Sequence, residues 1–166
     1  LSDLWQGIRQ VANTLGVAAK AEVLIQGYKS RITEISKKTK RIKDHPQVAC
    51  LEWIEPLMAA GLWIPEFIEM LGGINLFGKA GEHSVWIDWQ QLQKKDPDVM
   101  VAMPCGWGIE RCRQEMKSLT KQKGWADLKA VRTNRVYLTD GHHFFNRPGP
   151  RLVESLEILA EIMYPN

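Results

Sequence analysis

The run from Val48 to Gly73 constrains the fold of this chain most, because it reads without interruption as strand, loop and helix. Val48 to Trp53 is a short apolar run of buried-strand character, and Pro65 stands where a first helical turn accepts proline. Gly72-Gly73 closes the helix. Two later segments repeat the plan. The apolar run Val99 to Met103 leads through Pro104-Cys105-Gly106-Trp107-Gly108 into a helix from Ile109 to about Gln122. Arg135 to Thr139 leads through Asp140 to Gly149 into a helix from Pro150 to Tyr164. Three strand-loop-helix units in series require a parallel sheet with right-handed crossovers. The fold class is therefore α/β, a small parallel sheet flanked by helices.

The units are preceded by helix. Ser2-Asp3 offer an N-cap to an amphipathic stretch ending at Gly16. A longer helix is expected from Ala18 to Ile42, with a stripe of Ala21, Ile25, Tyr28, Ile32, Ile35 and Ile42. Between the first and second units, Ile74 to Ile87 is expected to be an irregular loop, and Asp88 to cap a short helix from Trp89 to Lys95. This divides the chain into residues 1–43, two helices, and residues 44–166, the α/β lobe.

At 166 residues, 45% of them hydrophobic, the chain can bury a proper core. No apolar stretch reaches the ~20 residues of a membrane span, so it is not expected to be membrane-embedded. The net charge of +3 owes much to Lys37, Lys38, Lys40, Arg41 and Lys43. These suit a helix C-terminus, and no aromatic residues are interleaved for base stacking, so nucleic acid is not an expected partner. Three cysteines cannot pair completely, and no disulfide framework is implied.

Loops that follow parallel strands converge on the carboxyl edge of the sheet, where open α/β folds bind ligands. The candidate binding residues are Trp53, Glu55, Met58 and Trp63 after the first strand and Cys105 and Trp107 after the second. His142, His143, Phe145, Asn146 and Arg147 follow the third. Flat rings with a few orienting donors suit a large planar ligand. The adjacent histidines have no Cys-x-x-Cys or His-x-x-x-His spacing beside them to complete a protein metal site, so no metal or cofactor of the protein's own is expected. One histidine reaching a metal inside a bound ligand is the better reading. Two alternatives stand beside ligand binding: a hydrolase using Cys105 as nucleophile with His142 or His143 as base, and an interaction module without a small ligand.

Several stretches carry a resemblance: Leu51 to Phe67, Gly72 to Phe77, Asp96 to Val101, Pro104 to Gly106 and Asp140 to Val153. Over its whole length the chain resembles the C-terminal half of helical-backbone (class III) substrate-binding proteins of ABC importers. The likeness is strongest to the vitamin B12 (cobalamin) binders, with haem and siderophore binders as relatives. The resemblance implies two α/β lobes joined by one long helix, here Ala18 to Ile42, with the ligand between them and the N-terminal lobe absent from this chain. It implies non-catalytic binding of cobalamin or a similar corrinoid or metal chelate for uptake. It also implies a periplasmic or envelope location, although a soluble corrinoid-binding role inside the cell stays open. The family docks on its permease through a glutamate on each lobe. The matching position here is Gln90, a departure that implies weakened docking.

Overall fold

The computed structural model describes residues 1–165. Helix α1, Ser2–Thr14, turns at Gly16 (φ +69°) into α2, Ala18–Thr39. The first helix starts earlier than the Ser2-Asp3 pair foretells. Trp5 N–H donates to the Leu1 carbonyl, which draws Ser2 into the first turn and leaves the cap without a side-chain bond. The second helix stops at Thr39 rather than Ile42. The Thr39 hydroxyl donates back to the carbonyls of Ile35 and Ser36, and Ile42 lies exposed with no apolar surface to follow. At 1.5 Å per residue its 22 residues reach about 33 Å.

Strands β1 (Gln47–Trp53), β5 (Val99–Ala102) and β6 (Val136–Leu138) are parallel neighbours, Val48 facing Val99 and Met100 facing Val136. With β2 (Met58–Ala59) and β4 (Val85–Trp86) the order is β4-β2-β1-β5-β6, and a sixth strand, β3 (Ile74–Asn75), pairs with β1 off this path. Two expected loops contain strands instead. After Trp53 the chain returns at once as a hairpin, β2 (Met58–Ala59), antiparallel to β1. Within the segment read as irregular, β3 (Ile74–Asn75) pairs parallel with the start of β1, and β4 (Val85–Trp86) pairs antiparallel with β2. So β2 and β3 share one flank of β1, and the sheet is mostly rather than wholly parallel.

Helices cover both faces, so β1 and β5 read as unbroken apolar runs while their side chains still alternate. Val48 and Cys50 join Trp5, Ile25, Phe67, Leu156 and Leu159 in one core, built with α1, α2, α3 (Ile64–Met70) and α7 (Leu152–Met163). Ala49 and Leu51 join Leu92, Cys112, Met116, Leu119 and Ala130 in the other, under α4 (Trp89–Lys95), α5 (Ile109–Thr120) and α6 (Lys129–Arg132). Arg31 on α2 grips Glu157 on α7 at 2.7 Å, tying the long helix to the last one. The expected local signals operate at α3 and α4. Pro65 lies in the first turn of α3, Gly72 leaves it at φ +86°, and Asp88 with Gln91 forms a reciprocal capping box on α4. No helix of the described residues is long and apolar enough to cross a membrane.

At the amino end of the sheet, the Gln47 N–H donates to Asp98 Oδ2 at 2.7 Å, and the Lys129 ammonium lies 2.5 Å from its Oδ1. Partial burial works against the Asp98 charge, but Lys129 and the Gln47 amide outweigh it and hold the carboxyl below its ordinary value of 3.8. A carboxyl more acidic in the folded than in the unfolded chain stabilises fully above the unfolded value and ceases to do so as pH falls through the folded one. Asp98→Asn should therefore cost about 1 to 2 kcal/mol at neutral pH. Urea titrations of both proteins should differ by this amount above the ordinary carboxyl value of 3.8 and converge only at lower pH, as Asp98 protonates in the folded chain. A constant difference across that range would show that the charge is irrelevant.

Candidate functional site

Because β1, β5 and β6 run the same way, the chain leaves all three at one edge, and hydrogen bonds stitch the three exits together. Cys105 N–H donates to the Glu52 carbonyl at 3.1 Å, joining the loop after β5 to the end of β1. His142 N–H donates to the Trp107 carbonyl at 3.3 Å, joining the loop after β6 to the loop after β5. Asn146 spends both amide hydrogens in the same way, on the carbonyls of Met103 (3.1 Å) and Gly141 (2.8 Å). Gly141 fits only as glycine, since a Cβ there would collide with the carbonyl oxygens of Met103 and Pro104.

The aromatic residues separate into two groups. Trp53 and Trp107 meet at 4.6 Å, tilted by 49°, and the guanidinium of Arg111 lies 4.5 Å over the Trp107 ring. With Trp107 buried between them, Trp53 is the member of this pair that keeps solvent-facing surface. Its indole N–H donates to the Glu55 carbonyl at 3.0 Å, closing the β1–β2 turn and leaving the Glu55 side chain outside. Trp63 belongs to the other face of the sheet, at the start of α3, where it lines a depression of about 250 Å3 with Leu4, Pro148 and Leu152. Phe145 is 1% exposed and belongs to that same core, so its ring offers a ligand no surface.

Asp140 caps a five-residue π-helical turn, Gly141–Phe145. Its carboxylate accepts from the backbone N–H of His143 at 2.9 Å and lies 2.8 Å from that residue's Nδ1. Partial burial opposes the Asp140 charge, but these His143 contacts prevail and lower its pKa. The His143 ring is held in this way, with Nε2 turned away from the carboxylate. His142, edge-on to His143 at 4.9 Å, instead lines a depression of about 220 Å3 with Cys105, Gly106, Asn146 and Arg147. Among the described residues no group of three or more His, Cys, Asp or Glu side chains is placed to hold a metal ion.

Cys105 is exposed in the turn after β5 and lies upstream of the α5 cap at Gly108, so it does not sit in that helix's first turn. Among the described residues no hydrogen bond joins its sulfur to either histidine. Cys50 and Cys112 are buried. Burial pushes the Cys50 thiol far up and the Cys112 thiol to about 11.

The sequence reading misses Trp86. The register sets Trp53, Met58 and Trp86 opposite one another across β1, β2 and β4, and Trp86 is 64% exposed. Its available signal is the β-branched–aromatic pair Val85-Trp86 between Gly81 and Asp88, too short to show a period of two. Gln90 is exposed in the first turn of α4. The nearby carboxylates are engaged, Asp88 capping α4 and Glu82 lying 3.6 Å from Lys79.

Comparison with known proteins accounts for this arrangement. The sequence profile of the family described as periplasmic binding protein matches residues 3–142. The ABC transporter substrate-binding lipoprotein YvrC of Bacillus subtilis is 28% identical over 171 residues, covering 99% of this chain and 51% of that protein. The high-affinity heme uptake system protein IsdE of Staphylococcus aureus is 24% identical, over 82% of this chain and 48% of its own. The chain thus spans about half the length of the curated relatives it matches. Among solved structures, an ABC transporter substrate-binding protein from Listeria monocytogenes superposes with a TM-score of 0.85 at 19% identity, over 99% of this chain and 65% of its own. S. aureus IsdE complexed with heme superposes with a TM-score of 0.81 at 22% identity, over 96% and 63%. At these identities the superpositions establish the fold, and the named relatives are binding proteins rather than enzymes. With the profile match extending over most of its length, the chain belongs to the periplasmic binding protein family.

Proposed function

We propose that this chain is the C-terminal lobe, with its interlobe helix, of a two-lobed substrate-binding protein that captures a planar metal chelate for ABC-type uptake at the cell envelope. Residues 1–43 supply α1 and the joining helix, residues 44–166 the lobe, and an upstream lobe the opposite wall of the cleft. The observation that carries this is the stitching of three post-strand loops at one edge, where Trp53, His142 and Arg147 stand beside one another's loops. A cleft edge with aromatic surface and few donors suits a large, flat, partly apolar ligand. An upstream lobe would have an apolar seat available, since Val11 on α1, Leu15 just after it and Val23 and Leu24 on α2 are 60%, 68%, 76% and 43% exposed. Haem, a siderophore complex and a corrinoid such as cobalamin are the candidate ligands. The printed names of relatives speak for haem. The sequence likeness to B12 binders speaks for the corrinoid. The two histidines add a means of reaching iron or cobalt within the ligand.

Titrating the natural full-length protein with haem and with cobalamin should quench the fluorescence of Trp53, and Trp53→Leu should remove most of that change. Absence of quenching with either ligand would overturn the reading.

The hydrolase alternative makes a different demand on Cys105. As an ordinary exposed thiol it should be the one cysteine alkylated in the native protein, no faster than a cysteine in a short unstructured peptide at the same pH. Alkylation of Cys105 many times faster than that of the peptide thiol would reveal an activated nucleophile and favour the hydrolase.

With Gln90 in place of a carboxylate, a permease arginine would lack its counter-charge on this lobe. Gln90→Glu should tighten docking on a reconstituted permease by roughly tenfold, about 1.4 kcal/mol, in a salt-dependent manner. Tight docking by the natural protein, unchanged by the substitution, would show that the amide is no handicap.

A further inference from the structure

The rear of the lobe, at the amino end of the sheet, concentrates charge that ligand capture does not use. Lys37, Lys38, Lys40, Arg41 and Lys43 place five cations within seven residues. The whole chain has a net charge of only +3, so everything outside this run is net acidic. The molecule is polarised, with one positive pole on a mildly negative body.

The helix dipole does not account for the run. Its attraction for cations falls off within the last turn, and α2 ends at Thr39. Lys37 and Lys38 lie in that turn and Lys40 caps it, but Arg41 and Lys43 stand beyond. Neighbouring acids do not neutralise the run either. Lys38 pairs with Glu34 at 2.8 Å, whereas Lys37, Lys40, Arg41 and Lys43 are in none of the ion pairs among the described residues. Of the other bordering acids Glu157 is held by Arg31, which leaves Asp44 and Glu161. The turn is nonetheless ordered. Arg41 N–H donates to the Lys38 carbonyl at 3.3 Å, Ile42 N–H to the Thr39 carbonyl at 2.9 Å, and His45 Nδ1 lies 2.7 Å from the Gly72 carbonyl oxygen. Ile42, in the midst of the cations, is 37% exposed, beside a depression of about 370 Å3 that it lines with Ile35 and Tyr164.

We infer that this pole is a docking surface for an anionic lipid bilayer. Clusters of roughly four to eight Lys and Arg are drawn to the negative potential of such a surface. An apolar side chain displayed among them enters the headgroup boundary and adds what a purely ionic contact lacks. The run holds no aromatic side chain on which a base could stack, which speaks against single-stranded nucleic acid. Because the pole lies at the opposite end of the sheet from Trp53 and His142, a lobe seated this way turns its carboxyl edge away from the bilayer. This goes beyond ligand capture and does not depend on it.

The natural full-length protein would be sedimented with vesicles of phosphatidylcholine alone and of equal parts phosphatidylcholine and phosphatidylglycerol. It should bind the mixed vesicles roughly tenfold tighter or more, and lose that preference in high salt as the charges are screened. Binding common to both vesicles, such as that of a lipid anchor, cancels in the comparison. Lys40→Gln, Arg41→Gln and Lys43→Gln together should remove most of the preference. Arg113→Gln, Lys117→Gln and Lys121→Gln, which take the same charge from α5 and its cap, should leave it within about twofold. All six side chains are exposed, so neither variant removes core packing. Ile42→Ser should weaken binding to mixed vesicles severalfold and keep its salt dependence. Equal binding to both vesicles, or equal loss from the two triple variants, would overturn the proposal. Binding unchanged by Ile42→Ser would do so too, by making any soluble polyanion an equal occupant. So would retention of single-stranded RNA at salt that strips the protein from vesicles, which would assign the pole to nucleic acid.

Discussion

The parallel pairing of β1 with β5 and β5 with β6 is the constraint on which the rest of the molecule depends. Parallel neighbours cannot be joined by a tight turn, so the chain must leave each strand at one edge and come back over a face of the sheet. In meeting that requirement the chain lays α3 over one face and α5 over the other, and the apolar side chains of β1 are divided between two cores. It also brings the exits after Trp53, Ala102 and Leu138 together, far apart in sequence, before any ligand is considered.

The two cores have unequal composition. The face under α1, α2, α3 and α7 holds large aliphatic and aromatic side chains, including the fully buried Phe67, Phe145, Leu156 and Leu159. Because Trp5, Ile25 and Ile32 belong to this core, the long helix is bonded to the lobe by packing as well as by the Arg31–Glu157 pair. A helix held this way is packed onto the lobe along most of its length. The opposite face mixes the small Ala49, Ala102, Ala130 and Cys112 with larger side chains such as Leu51, Leu92, Met100 and Trp107.

Much of this is legible in the residues, and where it is not the reason is physical. Val48–Trp53 and Val99–Ala102 are buried on both sides and announce themselves as apolar runs, and Pro65, Gly72 and the Asp88–Gln91 box act through local chemistry that neighbours do not alter. The strands β2, β3 and β4 are two residues each, too short for an alternation to repeat; β2 and β3 form because β1 offers an unpaired flank, and β4 forms on β2. Trp86 escapes notice for the same cause. Trp63 and Phe145 show the converse limit. Chain position assigns both to post-strand segments, but the face toward which each ring packs is a tertiary matter, and both join the core away from Trp53.

The bonds that fasten the loops to one another have a consequence for how such a protein diversifies. Cys105 and His142 make their ties through main-chain N–H groups, and Glu52 and Trp107 receive them through carbonyls. Every amino acid but proline carries that donor, so the side chains at 105 and 142 can be exchanged without cutting the stitches. Mutation can therefore rewrite the side-chain chemistry displayed at this edge while the main-chain frame stays put. Gly141 and Asn146 stand outside this freedom, since one is fixed by lack of space and the other by its own amide.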